Sequence, residues 1–196
     1  MVDAVRDVDK AGRAGAAEPL EYGARLDPMT PSRGACTIEA HQATPDDWRA
    51  VRILTLQMLE SAPQSFKTTY AQVVARTERE WRDKIAASPS TFVAFRDGAP
   101  VGMLRAGPDA GRPDGMEIKS VWVTPTDRRM GVIDVLIERQ LDWLRERKFR
   151  AATLWHLESN IIMERVARRH GFIHTGRREN DPGYPEPIIE MSRGLG

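Results

Sequence analysis

The feature that most constrains the fold is a strand, a short loop and a helix in direct succession. The segment MEIKSVWV (residues 116–123) is rich in β-branched and aromatic residues, which favour a strand. After TPTDRRMG, apolar residues recur at helical spacing at Ile133, Leu136, Ile137, Leu141 and Leu144. A second apolar run, AATLWHL (151–157), follows. A strand that returns through a helix to the same sheet forms a parallel pair with a right-handed crossover, so the sequence predicts such a pair here.

Two helices are predicted upstream of this unit, each beginning at a capping box. Thr44 is followed by Pro45, which suits the first helical position, and by Asp47 three residues after the cap. Thr77 stands in the same relation to Glu80. Both patterns satisfy backbone N–H groups that a helix leaves without partners at its N-terminus. The first helix is therefore expected to start near residue 45 and the second near residue 78.

Further strands surround these helices. CTIEAHQA (36–43) alternates in polarity and predicts a first strand. The clearest hairpin joins two β-rich runs, 91–95 and 101–105, through a turn at Asp97-Gly98. GPDAGRPDG (107–115) is read as a turn-rich connection to the next strand.

The C-terminal part predicts one short helix and two strands. NIIMERVARRH is amphipathic and is closed by Gly171, with Phe172 placed to fold back on it as in a Schellman motif. GFIHTGRR and EPIIEMSR supply the last strands. The complete order predicts an α/β fold with a mixed, mostly antiparallel central sheet flanked by helices, and not a doubly wound nucleotide-binding fold.

Composition divides the chain into two parts and excludes several function classes. Residues 1–36 have little apolar periodicity and predict a flexible or loosely packed leader, whereas 37–196 form the compact domain. A net charge of +1 argues against a dedicated nucleic-acid binder. The single cysteine, Cys36, excludes an internal disulfide and fits a reducing cytoplasm. The chain shows neither a membrane-spanning apolar run nor a secretory signal, so we expect a cytoplasmic protein without a membrane partner.

The segments VWVTPTDRRMGV, LWHLESN and ARRHGF, in this order and spacing, resemble the GNAT superfamily of acyl-CoA-dependent N-acetyltransferases. The resemblance covers roughly residues 37–194. It implies a GNAT-like acyltransferase fold, acetyl-CoA or another acyl-CoA as co-substrate, no metal, and transfer to an amino group. In similar proteins the final strands often form a dimer, so a homodimer is compatible with the resemblance.

The cofactor loop of this family has an Arg or Gln, two variable residues, Gly, one variable residue, and Gly or Ala. The matching residues are Arg128, Arg129, Met130, Gly131, Val132 and Ile133. Successive backbone N–H groups at a helix N-terminus can bind a pyrophosphate, and Arg129 could add a contact. Ile133 departs from the family pattern, and Asp134 adds negative charge beside it. The alternative interpretation is an ordinary loop before a core helix.

The resemblance also assigns residues along the rest of the co-substrate. Trp122 and Val123, in the strand before the loop, are expected beside the pantetheine arm. Asn160 matches a family position that contacts the cofactor, and it is also a good helix N-cap. Both roles are compatible with one side chain.

The family tyrosine that protonates the departing thiolate corresponds to Ala167 here, so the usual general acid is absent. The amine must also lose a proton before it attacks, and Glu117 and His156 are the candidate bases. Tyr184 is the candidate substitute acid. The alternatives are a solvated charge at a strand end for Glu117, a structural histidine for His156, and an ordinary loop residue for Tyr184.

Three functions follow from these residues. The first is transfer from acetyl-CoA to an amine of a small molecule, by direct attack in a ternary complex because no cysteine nucleophile is suitably placed. The polar-aromatic loop Ser61–Tyr70, whose Phe66 and Tyr70 could face a ligand, favours a small acceptor over nucleic acid. The second is a catalytically impaired relative that binds CoA or another ligand as a sensor or partner protein, which Ala167 and Ile133 favour. The third is an acyl-carrier-linked acyltransferase that uses the same pantetheine site.

Overall fold

The computed structural model describes residues 37–196, so the predicted leader and Cys36 lie outside the described residues. Seven strands form one sheet. The strands are β1 (Ile38–Gln42), β2 (Thr91–Arg96), β3 (Ala99–Asp109), β4 (Arg112–Val123), β5 (Ala151–Leu157), β6 (Ile173–Glu179) and β7 (Ile188–Gly194). The helices are α1 (Trp48–Ser61), α2 (Tyr70–Val74), α3 (Glu78–Ala86), α4 (Val132–Glu146) and α5 (Ile161–Arg169).

The sheet has the order β1-β2-β3-β4-β5-β7-β6 and is antiparallel except for one pair. The exception is β4 with β5, which run parallel and are connected through α4. This confirms the strand-helix-strand prediction and the mixed, mostly antiparallel fold. β7 lies between β5 and β6, which leaves β6 at the edge of the sheet.

The structure contains the helix cap, the hairpin turn and the Schellman motif that local sequence patterns predict. The Asp47 carboxylate accepts a hydrogen bond from the Thr44 backbone N–H at 2.7 Å, and the first turn that follows is a 3-10 helix. Asp97 and Gly98 have φ of 51° and 81°. A two-residue hairpin turn of type I′ needs positive φ at both positions, which explains the Asp-Gly pair. At the end of α5, the N–H of Phe172 donates to the carbonyl of Ala167, as the Schellman motif requires.

One boundary prediction was wrong. Residues 107–115 were expected to form a turn-rich connection, but β3 and β4 continue through most of this segment and the turn is confined to residues 110–111. Pairing reaches Asp109↔Arg112, with a register irregularity after Pro108. Proline is tolerated where the ladder is irregular, so Gly and Pro did not mark the strand ends here.

The core lies on both faces of the sheet. One cluster packs α4 and α5 against the sheet and contains Leu136, Leu141 and Phe172. The other packs α1 and α3 on the opposite face and contains Leu54 and Trp81. Strand alternation supplies both clusters from the same strands. In the described part of the chain, none of the helices has the length and apolarity that crossing a membrane requires.

Candidate active site

β4 and β5 separate partway along their length. Their pairing runs only from Gly115↔Ala151 to Ile118↔Leu154, although β4 continues to Val123 and β5 to Leu157. A cavity of about 620 Å³ is lined by residues of both strands at this separation. That volume lies within the ~300–1,000 Å³ range of small-molecule sites.

A β-bulge in β4 accompanies the separation. Met103 pairs with Trp122 and Arg105 with Lys119, so β4 carries one more residue than β3 between these pairs. Ser120 lies in this interval with φ of 51°, a left-handed conformation that is uncommon for a residue with a side chain. A bulge bends and twists its strand, which turns the C-terminal half of β4 away from β5.

The three predicted catalytic residues line this cavity together. Glu117 comes from β4, His156 from β5, and Tyr184 from the loop between β6 and β7. Asn160, predicted as a cofactor contact, lines it as well. Its side chain accepts a hydrogen bond from the Met163 N–H at 3.0 Å, which confirms the helix cap.

Glu117 is half-enclosed and held by a neighbour. Its carboxylate lies 2.9 Å from the Lys119 ammonium, and its side chain is 23% exposed. Glu117 pairs with Thr153 on β5, and alternation puts His156 on the opposite face of the sheet from Thr153. Glu117 and His156 therefore reach the cavity from different strands and from opposite faces of the sheet.

His156 is buried and has one free ring nitrogen. Its Nδ1 lies 2.8 Å from the Leu157 carbonyl oxygen, which only accepts hydrogen bonds, so Nδ1 carries the proton. Nε2 then has a lone pair and no partner among residues 37–196. The side chain is 5% exposed. An unpartnered acceptor at this depth is unfavourable unless a ligand supplies a donor.

Tyr184 belongs to a loop that covers one side of the cavity. The Lys67 ammonium lies 5.4 Å from the centre of its ring and also pairs with Asp181, which connects the loop before α2 to the loop before β7. Burial raises the pKa of the Tyr184 phenol, Lys67 opposes that rise, and the charges of Asp181 and Glu117 add to it. The phenol therefore stays protonated at neutral pH.

In the predicted phosphate-binding loop, Gly131 has the left-handed backbone conformation that glycine adopts readily. Gly131 is the N-cap of α4 with φ of 85° and no side-chain cap. A Cβ built on it meets no atom within 4 Å, so the space beside the Gly131 α-carbon is open. Arg129, which stands where a glycine is common in the family, also has a positive φ, of 66°.

Ile133 and Asp134, the two residues that depart from the family's loop pattern or add negative charge beside it, each have partners within the domain. Ile133 packs against the core cluster on the α4 face. The Asp134 carboxylate accepts hydrogen bonds from Arg169 and from His170. Burial alone would raise the pKa of Asp134, but these hydrogen bonds lower it below its ordinary value. The carboxylate is therefore ionised and already paired with the Arg169 guanidinium.

Other predicted residues do not line the cavity. The side chains of Trp122 and Val123 are buried in the two core clusters, and the Trp122 indole donates to Ser61 Oγ at 3.2 Å. The loop residues 128–133 lie beyond the end of β4, outside the cavity lining. Tyr70, expected to face a ligand with Phe66, is 42% exposed and is not a lining residue, whereas Phe66 is.

Sequence reasoning missed the residues that the β4 bulge and the third strand bring into the cavity. Lys119, Ser120 and Val121 line it in place of Trp122 and Val123. Arg105, on β3, was not singled out as a site residue. No local pattern marks a bulge in MEIKSVWV, so this part of the lining carried no signal in the sequence.

Known proteins resemble the chain in sequence and in fold. The Acetyltransferase (GNAT) family matches residues 55–172. None of the curated proteins matches the chain. A GNAT-family acetyltransferase from Streptococcus pneumoniae shares 16% identity at a TM-score of 0.65, covering 82% of this chain and 100% of its own. The ribosomal-protein-alanine N-acetyltransferase from Brucella melitensis shares 22% at 0.65, covering 80% and 99%. The yncA protein from Salmonella typhimurium, solved with its cofactor acetyl-CoA, shares 17% at 0.67, covering 82% and 95%.

Proposed function

The chain belongs to the GNAT family of acetyltransferases, and we propose that it transfers an acetyl group from acetyl-CoA to the amino group of a small molecule. The observation that carries this proposal is the cavity between β4 and β5, which Glu117, His156 and Tyr184 line together. A cavity of about 620 Å³ suits a small acceptor better than a macromolecular surface.

Acetyl-CoA would bind along the separated strands. The N–H groups around Gly131 would hold the pyrophosphate, and the edge of β4 that β5 leaves unpaired, residues 119–123, leads from there towards Glu117. Val123 and Glu117 are six positions apart, which is about 20 Å of strand. The arm must therefore be extended, with its thioester near Glu117 and His156.

Glu117 would act as the base on the acceptor side. Its carboxylate takes a proton from the acceptor ammonium, directly or through water. The amine nitrogen then forms a bond to the thioester carbonyl carbon as the carbon–sulfur bond breaks, and the nitrogen gives its second proton to water, which leaves a neutral amide. His156 Nε2 is the second candidate base, because it is an unpartnered acceptor on the other side of the gap.

Tyr184 would take over the role of the family tyrosine, whose position is occupied by Ala167 in this chain. Its phenol is protonated at neutral pH and donates a proton to the departing thiolate; exchange with solvent then restores both Tyr184 and Glu117. A thiol has a pKa of about 8.5, so the thiolate leaves readily and needs only modest help.

Release of free thiol tests the proposal. Purified protein with acetyl-CoA should release CoA thiol in the presence of a suitable amine and not in its absence. Thermal unfolding with acetyl-CoA measures binding separately. If no amine of a broad panel stimulates thiol release, the transferase proposal is wrong.

A CoA-binding protein without transferase activity is the second candidate. The observation that favours it is Ala167, which is fully buried in the core and leaves α5 without a hydroxyl at that position. Stabilisation by acetyl-CoA without thiol release would select this candidate.

A further inference from the structure

The cavity contains more basic side chains than its acidic residues neutralise. The basic side chains that line it are Lys67, Arg76, Lys84, Arg105, Lys119 and Arg177. Lys67 pairs with Asp181, Lys119 with Glu117, and Arg177 with Glu179 and Glu190. For Arg76, Lys84 and Arg105, no carboxylate of residues 37–196 lies within 4.0 Å. We call these three residues the basic cluster.

Arg105 is the most enclosed member of the basic cluster. Its guanidinium donates to Ser88 Oγ at 2.9 Å, which leaves most of its N–H donors unused. Burial lowers the pKa of Arg105, and Arg76 lowers it further. Arg105 also lies directly opposite Lys119 in the β3–β4 ladder. Like charges at opposite positions destabilise a sheet. Glu117 pairs with Lys119, so Arg105 is the one of these two cations that has no carboxylate of residues 37–196 within 4.0 Å.

The other two members approach from the helical side of the cavity. The Arg76 guanidinium lies 5.4 Å from the ring centre of Trp81, which holds it in a cation–π contact. Burial lowers the pKa of Lys84, and the charges of Arg76 and Arg105 lower it further. Trp81 lines the cavity, is 2% exposed, and its indole N–H has no acceptor in the described part of the chain.

From these contacts we propose that the basic cluster binds an oxyanion of the acceptor, so that the acceptor is an amine with a carboxylate or a phosphate at its other end. This inference rests on the proposed function. An oxyanion would relieve the mutual repulsion of Arg76, Lys84 and Arg105, and a planar guanidinium can bind either group through two parallel N–H bonds.

The position of the basic cluster also indicates where the amine lies. Glu117 and Lys119 are two residues apart on one face of β4, which is about 7 Å along the strand. Arg105 is across from Lys119. An acceptor whose amine reaches Glu117 and whose oxyanion reaches Arg105 must therefore carry these groups at opposite ends.

Matched amines test the inference. Thiol release is measured with ω-amino acids of increasing chain length, with their carboxamides, and with their phosphonate analogues. An anionic amine should have a KM at least about tenfold lower than its carboxamide, because a hydrogen bond to a charged group is worth about one to two factors of ten. Comparison of the carboxylate and phosphonate series identifies which oxyanion the site prefers.

Replacing Arg105 tests its role in binding the oxyanion. Arg105→Met should raise the KM for the anionic amine by about tenfold to a hundredfold. The KM for the carboxamide should not change. Arg79→Ala is the matched control, since Arg79 is a basic residue of α3 whose side chain is 90% exposed and which lies outside the cavity. If Arg105→Met does not fold, Arg76→Gln is used in its place. Equal KM values for the anionic amine and its carboxamide in the unmodified protein would overturn the inference and leave the proposed function intact.

A binding measurement separates the two proposals. The thermal shift that each amine causes is measured in the unmodified protein and in Arg105→Met, without acetyl-CoA. If no amine is acetylated, the proposed function fails. A shift by the anionic amine that Arg105→Met removes would still support the anion site. The absence of any shift, or an equal shift in the variant, would overturn the anion site as well.

Discussion

Replacing Gly131 by Asp should strongly weaken the binding of acetyl-CoA while the domain remains folded. A Cβ at Gly131 meets no protein atom within 4 Å, so the cost to the fold is limited to its φ of 85°. Left-handed backbone costs a residue with a side chain about 1–2 kcal/mol, and Asp and Asn tolerate it best. Gly131→Asp and the comparison variant Gly131→Asn should therefore both fold, and each should lose about 1 kcal/mol of stability.

The comparison of Gly131→Asp with Gly131→Asn isolates the added charge. The two side chains have nearly the same size, but only Asp repels a phosphate. Two unit charges about 4 Å apart interact with about 4 kcal/mol at an effective dielectric constant of about 20. Exposure of the loop and salt reduce this value. We expect a difference of about 2–3 kcal/mol, which weakens binding by about thirtyfold to more than a hundredfold.

Thermal unfolding converts this difference into a measurable shift. At a ligand concentration of about a hundred times its Kd, binding stabilises the protein by about 2.7 kcal/mol, which raises the Tm of a domain of this size by about 5–11 °C. A hundredfold weaker Kd leaves about 0.4 kcal/mol, or about 1 °C. If Gly131→Asp keeps the shift of Gly131→Asn, the pyrophosphate does not bind at this loop and the reasoning is refuted.

Four further variants test separate parts of the structure. Glu117→Gln should lower kcat by about 10²–10⁴ in the thiol-release assay without changing the thermal shift by acetyl-CoA; an unchanged kcat would exclude Glu117 as the base. Because the folded pKa of Tyr184 is raised above 10.0, its neutral form stabilises the fold below pH 10 and that contribution is lost as the pH rises further. Urea unfolding should therefore show a smaller loss of stability above pH 10 in Tyr184→Phe than in the unmodified protein. Ala167→Tyr should lower the free energy of unfolding, measured with urea, by about 1–3 kcal/mol because Ala167 is 0% exposed. A variant that is equally stable and releases thiol faster would show that α5 has room for the family tyrosine. Lys148 follows α4 with φ of 60°, so Lys148→Gly should raise stability by about 0.5–1 kcal/mol, and a lower Tm would contradict that assignment of strain.

The part of the fold that was predictable depends on short-range interactions. The capping box at Thr44, the hairpin turn at Asp97-Gly98 and the Schellman motif at Gly171 each close their hydrogen bonds within a few residues. The residues that make these bonds are therefore neighbours in the sequence, and their types mark the structure directly. The crossover from β4 to β5 followed in the same way from apolar periodicity and a handedness rule that has few exceptions.

Part of the candidate site was predictable only as a set of separate residues. Glu117, His156 and Tyr184 were selected one at a time, by resemblance or by chemical type, and their common cavity depends on how the sheet is ordered. Trp122 was assigned to the site by its position in the strand. The bulge near Ser120 places neighbouring residues there instead, and no pattern in MEIKSVWV distinguishes a bulged strand from a regular one.

The sequence alone determined the order of the strands along the chain, the mixed sheet, the family and the loop at Gly131. It did not predict the short helix α2. Tertiary structure alone decided where β4 and β5 separate, which side chains that gap exposes, and how its charges balance. Lys67 contacts Asp181 across 114 positions of the chain, and Arg76, Lys84 and Arg105 line one cavity from three different segments. Such contacts depend on the packing of whole elements, and the residue types at each position do not encode them locally.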